Sequence, residues 1–378
     1  MTALSIFTFE SRRSQMLADL KALVEIESPT TDKAAMDRMA AAVKARMEGI
    51  GAEVEVDRQT TAGDHLIGRW NGRSLGRGIL VMCHMDTVYD LGTLARMPCR
   101  AEDGRLHGPG VFDMKASIVL CLYAIAALNG AGALPDRPLT MLCTSDEETK
   151  SETSRALIER LAREHGLVLC MEPALPDGSL KTWRKGTGDF VVTTRGLAAH
   201  AGADHERGIN AIAEMAHQVL KIQGLTDYQQ GTTLNVGIIS GGTRGNVVPN
   251  TCSAQVDFRA KTPAEADRII EVMLALRPVL PGTSVEVTGG LNRPPMVRDE
   301  TMARTFQRAQ AIAAGLGITL GEGGTGGGSD ANFVAPLGVP VLDGLGALGN
   351  GAHSEREHIH IASLPERAAL LAAILSEW

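Results

Sequence analysis

Residues 78–86 read GILVMCHMD, an unbroken apolar run that begins after a glycine and ends on His84 and Asp86. A run this short, with no polar residue on either parity, suits a strand buried on both faces, as in a parallel sheet. Three further stretches read the same way: residues 139–144, 166–170 and 339–342. Helically spaced segments separate them at 114–128, 152–164 and 302–314, and two more, 11–27 and 33–49, precede the first strand, the second stopping at Gly49 and Gly51. Alternation of this kind predicts an α/β layered domain with a mostly parallel sheet.

Between 185 and 293 the rhythm changes. Strand 190–195, helix 208–223, strands 233–239 and 254–259, helix 263–276 and strand 284–288 give the split β-α-β-β-α-β order of ferredoxin-like domains. Strand-like sequence and chemically suggestive residues resume afterwards. The segment therefore reads as an insertion: a catalytic domain over 1–184 and 295–378, and an inserted lid or dimerisation domain over 185–294. Two domains also suit 378 residues.

A composition of 44% hydrophobic and 21% charged residues is that of a globular chain, and a net charge of −7 lacks the basic excess that nucleic-acid binding needs. No apolar run is expected to approach the ~20 residues of a membrane span. The start, MTALSIFTFESRRSQ, places its charges after the apolar patch, the reverse of a signal peptide, so a cytoplasmic location is expected. Cysteines 83, 99, 121, 143, 170 and 252 sit mostly within apolar runs with no CxxC pair and read as reduced core residues.

In α/β sheets ligands gather beyond the carboxyl ends of the strands. Those ends carry His84 and Asp86, then Asp146, Glu147 and Glu148, then Glu172, then a loop reaching His353; Asp113 lies in the turn HGPGVFDMK. Each has an ordinary reading alone: a hydrogen-bonded histidine, a helix N-cap for Asp113, a solvated acidic turn, a surface cluster of His353, His358 and His360. Four strand ends each delivering a ligand type outweigh them. A carboxylate-rich, thiolate-poor set matches Zn²⁺, Co²⁺ or Mn²⁺, and five such groups suffice for two metals about 3.5–4 Å apart sharing a bridging carboxylate. The Gly-rich stretch 321–332, GEGGTGGGSDAN, lacks a nucleotide P-loop signature; it reads as a flexible loop or as backbone that approaches a ligand closely.

GILVMCHMDTV, GPGVFDMK, TSDEE, MEP, AAHAG, TGGGSDA and GAHSEREHI occur in this order. Together they resemble the M20 metallopeptidases, and within them the glutamate carboxypeptidases of the carboxypeptidase G2 type, along nearly the whole chain. The resemblance implies a dizinc site with Asp113 as bridge, Glu148 and His353 on one metal, and His84 and Glu172 on the other. It implies Asp86 as a partner orienting His84, Glu147 as general base, and His200 as a donor to the tetrahedral oxyanion in a partner subunit's site, although Ala199 stands where relatives often carry Ser. Asn246, Arg259 and Arg293 resemble substrate-contacting residues, with Lys181 or Lys185 as the matching lysine.

The leading expectation is hydrolysis of an amide that releases an amino acid with a free α-carboxylate, glutamate favoured, from a small conjugate or short peptide. A homodimer is expected. The alternatives are an N-acyl-amino-acid deacylase, a dipeptidase, and a non-catalytic binding protein on the same fold.

Overall fold

The computed structural model describes residues 4–71 and 76–378; residues 1–3, the first of the N-terminal stretch read above, and 72–75 lie outside the described residues. The chain runs through α1 (Ile6–Glu10), α2 (Arg13–Val24), α3 (Lys33–Gly49), β1 (Glu53–Asp57), β2 (His65–Trp70), β3 (Gly78–His84), β4 (Arg100–Glu102) and β5 (Arg105–His107). It continues through α4 (Ala116–Gly130), β6 (Leu139–Thr144), α5 (Arg155–Glu164), β7 (His165–Cys170) and β8 (Leu180–Arg184). Then follow β9 (Gly186–Arg195), β10 (Ala199–His200), α6 (Ala211–Gln223), β11 (Thr233–Gly241), β12 (Val247–Val248), β13 (Thr251–Ala260), α7 (Pro263–Leu274) and β14 (Ser284–Arg293). The last elements are α8 (Glu300–Gly315), β15 (Glu322–Thr325), α9 (Ala331–Val334), β16 (Val341–Asp343), β17 (Gly349–Asn350), β18 (His358–His360) and α10 (Ser363–Glu377).

Two units separate. One holds Met1–Trp183, Arg298–Gly324 and Ser329–Trp378, the other Arg184–Val297 with Thr325–Gly328. A four-residue piece of the Gly-rich stretch thus belongs with the smaller unit.

In the larger unit eight strands lie in the order β1-β2-β6-β3-β7-β16-β8-β15. Its four adjacent central strands, β6, β3, β7 and β16, run parallel. Every residue of β3 and β6 is buried, which is why their sequences show no polar alternation. The flanking strands, which the sequence reading left unassigned, are antiparallel: β1 pairs β2, β2 pairs β6 and β8 pairs β16. EVEVD in β1 alternates charge with valine as an edge strand does, a pattern the search for continuous apolar runs passes over.

Helix α4 is buried without a break over Ala116–Leu122 and packs against α10, which also packs against α1. This corrects the expectation about span length: Val111–Gly130 is 20 residues, long and apolar enough to cross a membrane. Most of it is covered by the unit's own core, and a helix enclosed on all sides is apolar all round for that reason.

The smaller unit has the sheet order β11-β13-β9-β14, antiparallel throughout, with α6 and α7 packed on it. Alternate residues of β13 are buried, and Phe258 stacks on Phe190 of β9 with ring centroids 5.3 Å apart. Side chains cap both helices: Asn210 accepts from Ala213 N–H at the start of α6, and Thr262 from Glu265 N–H before Pro263 of α7. Glu214 is fully buried on α6, and its carboxylate accepts from the amides of Val279 and Leu280 and the hydroxyl of Thr283, fixing the α7–β14 connection.

Candidate active site

β3 ends on His84, with Asp86 two residues on; Glu147 and Glu148 form a 3₁₀ turn just after β6, and Glu172 follows β7. Asp113 precedes α4 after the turn Gly108–Gly110. Gly110 has φ 70°, and a Cβ there would run into the Thr87 side chain, so this turn requires glycine. His353 lies in the β17–β18 connection with φ 60°, a left-handed conformation that costs a non-glycine residue about 1–2 kcal/mol.

These backbones bring seven of the predicted residues together in the larger unit. Asp113 Oδ1 lies 3.1 Å from His84 Nε2, and its other oxygen, Oδ2, 3.3 Å from His353 Nε2. Glu148 Oε2 is 3.2 Å from His353 Nε2, and Glu172 Oε1 3.7 Å from His84 Nε2. Ligand atoms of His84, Asp113 and Glu172 all lie within 4.8 Å of one another, as do those of Asp113, Glu148 and His353. Glu147 joins His84 and Glu148 in a third such group.

His84 is oriented from its other nitrogen. Nδ1 lies 3.1 Å from the backbone carbonyl of Asp86 and 3.4 Å from its carboxylate. A carbonyl only accepts, so Nδ1 carries the proton and Nε2 faces the carboxylates. The Asp86 carboxylate itself accepts the Thr30 hydroxyl at 2.7 Å and the amides of Glu147 and Glu148 at 3.3 and 3.0 Å. It thereby holds the acidic turn as well as the histidine.

Burial alone would depress His84, but Asp113 and Asp86 outweigh it and hold the imidazole well above its ordinary range. His353 is pushed up to about 11 by Asp113 and Glu148. Burial works against Asp113, yet His353 and His84 keep its carboxyl well below the usual carboxylate range. Burial, with Asp113 adding repulsion, raises Glu148. Five acids, Asp86, Asp113, Glu147, Glu148 and Glu172, around the buried His84 and the half-exposed His353 form a site that gains from further positive charge. Two imidazoles and three carboxylates with no thiolate fit a pair of borderline divalent cations.

Sequence reasoning missed three supports. The buried Glu357 accepts the amides of Gly110, Phe112 and Asp113 at 2.9, 2.8 and 2.9 Å, and burial pushes its carboxyl up to about 7. Lys115, fully enclosed, donates to the carbonyl of Ile26 at 2.8 Å and is pushed down to about 8 by burial. Arg367 of α10 donates to the carbonyls of Gly344, Gly346 and Gly178, while Gly346 N–H binds the carbonyl of Glu172 at 2.9 Å. Their partners are backbone groups, which no residue type announces in a sequence.

Lys181 is buried in β8, opposite Asp343 in register. The other predicted residues lie in the smaller unit. There β10 pairs β12 with His200 opposite Val247, and Ala201 N–H binds the Asn246 carbonyl at 2.9 Å. His200 Nδ1 accepts from the amides of Gly202 and Ala203, so Nε2 carries the proton and is a donor. Arg259 and Arg293 lie opposite Thr187 from its two neighbouring strands. Arg259 forms a two-pronged pair with Asp257 at 2.9 and 2.7 Å, and Arg293 is buried. Some glycines of the Gly-rich stretch make close approaches to the chain's own side chains: a Cβ on Gly324 would overlap Trp183, and one on Gly328 would crowd Thr187 and Arg293.

A carboxylate with one oxygen toward each of two His–carboxylate groups, at the carboxyl ends of parallel strands, defines a metal-dependent hydrolase. The profile of Peptidase family M20/M25/M40 matches residues 80–377, and the chain belongs to that family. It is 31% identical to carboxypeptidase G2 of Pseudomonas sp. (strain RS-16) over 96% of this chain and 89% of that protein. It is 30% identical to succinyl-diaminopimelate desuccinylase of Dechloromonas aromatica (strain RCB) over 73% of this chain and 76% of that one. Among solved structures, aminopeptidase PepT from Bacillus cereus ATCC 10987 shares the fold with a TM-score of 0.77 and 24% identity, covering 97% of this chain and 98% of that one. The M20 family metallo-carboxypeptidase Sso-CP2 from Sulfolobus solfataricus gives 0.73 and 16%, covering 96% and 98%.

Proposed function

We propose that this protein is a dizinc amidohydrolase that cleaves an amide bond so as to release an amino acid with a free α-carboxylate, glutamate favoured. The observation that carries the reading is the split environment of Asp113, whose two oxygens face His84 and His353 at 3.1 and 3.3 Å. Asp113 would bridge, with His84 and Glu172 on one side and His353 and Glu148 on the other. When bound, two divalent cations supply Lewis acidity toward a carbonyl oxygen and make an attacking water more acidic. Glu147 accepts the proton of that water at its carboxylate and returns it to the leaving nitrogen. His200 Nε2–H would donate to the developing oxyanion in a partner subunit's site. Asn246, Arg259 and Arg293, with Lys181 or Lys185, bind substrate, the arginines serving its carboxylate.

Carboxypeptidase and desuccinylase relatives both support an amino-acid conjugate as substrate. A homodimer through the smaller unit is supported by its edge strand β11, where Ile238 and Ile239 are exposed. A cytoplasmic location completes the reading.

The test is hydrolysis of a panel of N-acyl-glutamates, folate, other N-acyl-amino acids and dipeptides by chelator-stripped and zinc-restored protein. Zinc-dependent release of a free amino acid supports the reading and ranks the substrates. Stoichiometric zinc binding without turnover of any panel member would favour a binding protein instead.

A further inference from the structure

The small sheet β17-β18-β5-β4 carries three histidines that amide hydrolysis leaves unused. His358 and His360 are two residues apart on β18, so their side chains leave the same face, and His107 of β5 lies directly opposite His358. Ring centroids are 5.3 Å apart between His107 and His358, and 5.6 Å between His358 and His360. Two imidazoles on one tetrahedral ion, each nitrogen about 2.0–2.1 Å from it, place their centroids roughly 5 Å apart. Both spacings are therefore close to that of two imidazoles sharing one ion. His107 and His360 are diagonal neighbours across the strand pair, within reach of long side chains.

A second observation concerns the proton. His358 Nδ1 lies 2.8 Å from the carbonyl of Arg356. Since the carbonyl accepts, Nδ1 carries the hydrogen and Nε2 keeps its lone pair, which is the outer hydrogen bond a ligating histidine ordinarily makes. Burial first, then Arg100 and His358, lowers the pKa of His107; burial, then His358 and Arg105, lowers that of His360. Both shifts favour the neutral form that can ligate.

The geometry points to a metal site separate from the Asp113 cluster, in which His107, His358 and His360 bind one imidazole-preferring transition-metal ion such as Zn²⁺, Ni²⁺ or Cu²⁺. The same face carries Arg100, Glu102 and Arg105, with Arg100 donating to Glu102 at 3.2 Å. That residual positive charge disfavours Mg²⁺ and Ca²⁺, which seek oxygen ligands, whereas coordinate bonds to imidazole persist. The site spans two segments that meet at Asp113. β5 leads through Gly108–Gly110 to it, and β18 follows Glu357, which accepts its amide. An ion across β5 and β18 ties these segments together. The inference does not depend on the hydrolytic reading.

The full-length protein with its resident metals is dialysed against excess Zn²⁺, rinsed of loose ion, and its metal counted beside His107→Gln and His360→Ala. Wild type is expected to retain one more equivalent of zinc than either variant, while melting curves without added metal match and so exclude misfolding. Cu²⁺ added to the zinc-loaded protein is expected to give an electron paramagnetic resonance spectrum with nitrogen couplings that both variants lose. Equal zinc in all three proteins, a copper spectrum indifferent to the substitutions, or an extra equivalent of Mg²⁺ bound under the same treatment would overturn the site.

Discussion

The backbone N–H of Asp113 donates to Glu357 Oε1 at 2.9 Å, so the residue that faces two histidines is held from behind by an acid 244 positions away in the chain. Glu357→Gln puts an NH₂ group in place of one of the two oxygens that together accept three amides. Metal affinity is expected to fall about 10–100-fold, as for other groups that orient ligands, with turnover falling alongside. Metal content after dialysis and kcat on the same samples check this; full metal and full turnover in the variant would show that Asp113 needs no such support.

Glu147→Gln is expected to keep its metals and lose about 10²–10⁴-fold in kcat, since a general base acts on the proton and not on the ion. Glu148→Gln, at the residue 3.2 Å from His353, is expected to lose metal first. Reversal of the two phenotypes would exchange the roles of these neighbours.

His200 presents Nε2–H because Gly202 and Ala203 occupy Nδ1. His200→Ala is expected to lower kcat about 10²–10³-fold with metal content unchanged. His200→Gln, which keeps a donor, is expected to recover part of the loss. Steady-state kinetics decide, and unaltered kcat in the alanine variant would remove His200 from the chemistry.

Burial acts to raise Glu214, but the amides of Leu280 and Val279 with Gln218 and Thr283 hold its carboxyl below the ordinary range. A carboxyl depressed on folding stabilises fully above its unfolded pKa of about 4.3, and that stability disappears as pH falls through the folded value. Glu214→Gln is therefore expected to cost about 1–3 kcal/mol at pH 7. The gap to wild type should narrow in acid unfolding experiments at pH values below the ordinary carboxyl range; a gap independent of pH would contradict the charge-based account.

The central strands were legible because burial on both faces forbids polar residues there, so GILVMC and LTMLCT could not hide. The smaller unit was legible through the order of its strands and helices. β2, HLIGRW, and β8, LKTWR, mix charge into short strands and gave no such signal. At the site, His84, Asp113, Glu148, Glu172 and His353 stood out because metal ligation restricts residue type and strand ends restrict position. Glu357, Thr30 and Arg367 did not, because they bind carbonyls, amides or one aspartate that only the folded chain brings near. Val111–Gly130 was passed over altogether: it is long and apolar enough to span a membrane, and its apolar character follows its burial in the core.

Helix α10 packs on α1 and on α4 and is buried from Leu364 to Leu375 apart from Glu366. The first helix of the larger unit thus waits for the last. While residues 363–377 are still inside the ribosome, the apolar flanks of α1 and α4 have no cover, and the core cannot close one segment at a time as the chain emerges. Until those residues emerge, Phe9 and the α4 face stay open to chaperones and proteases, and a chain halted before residue 363 keeps them open.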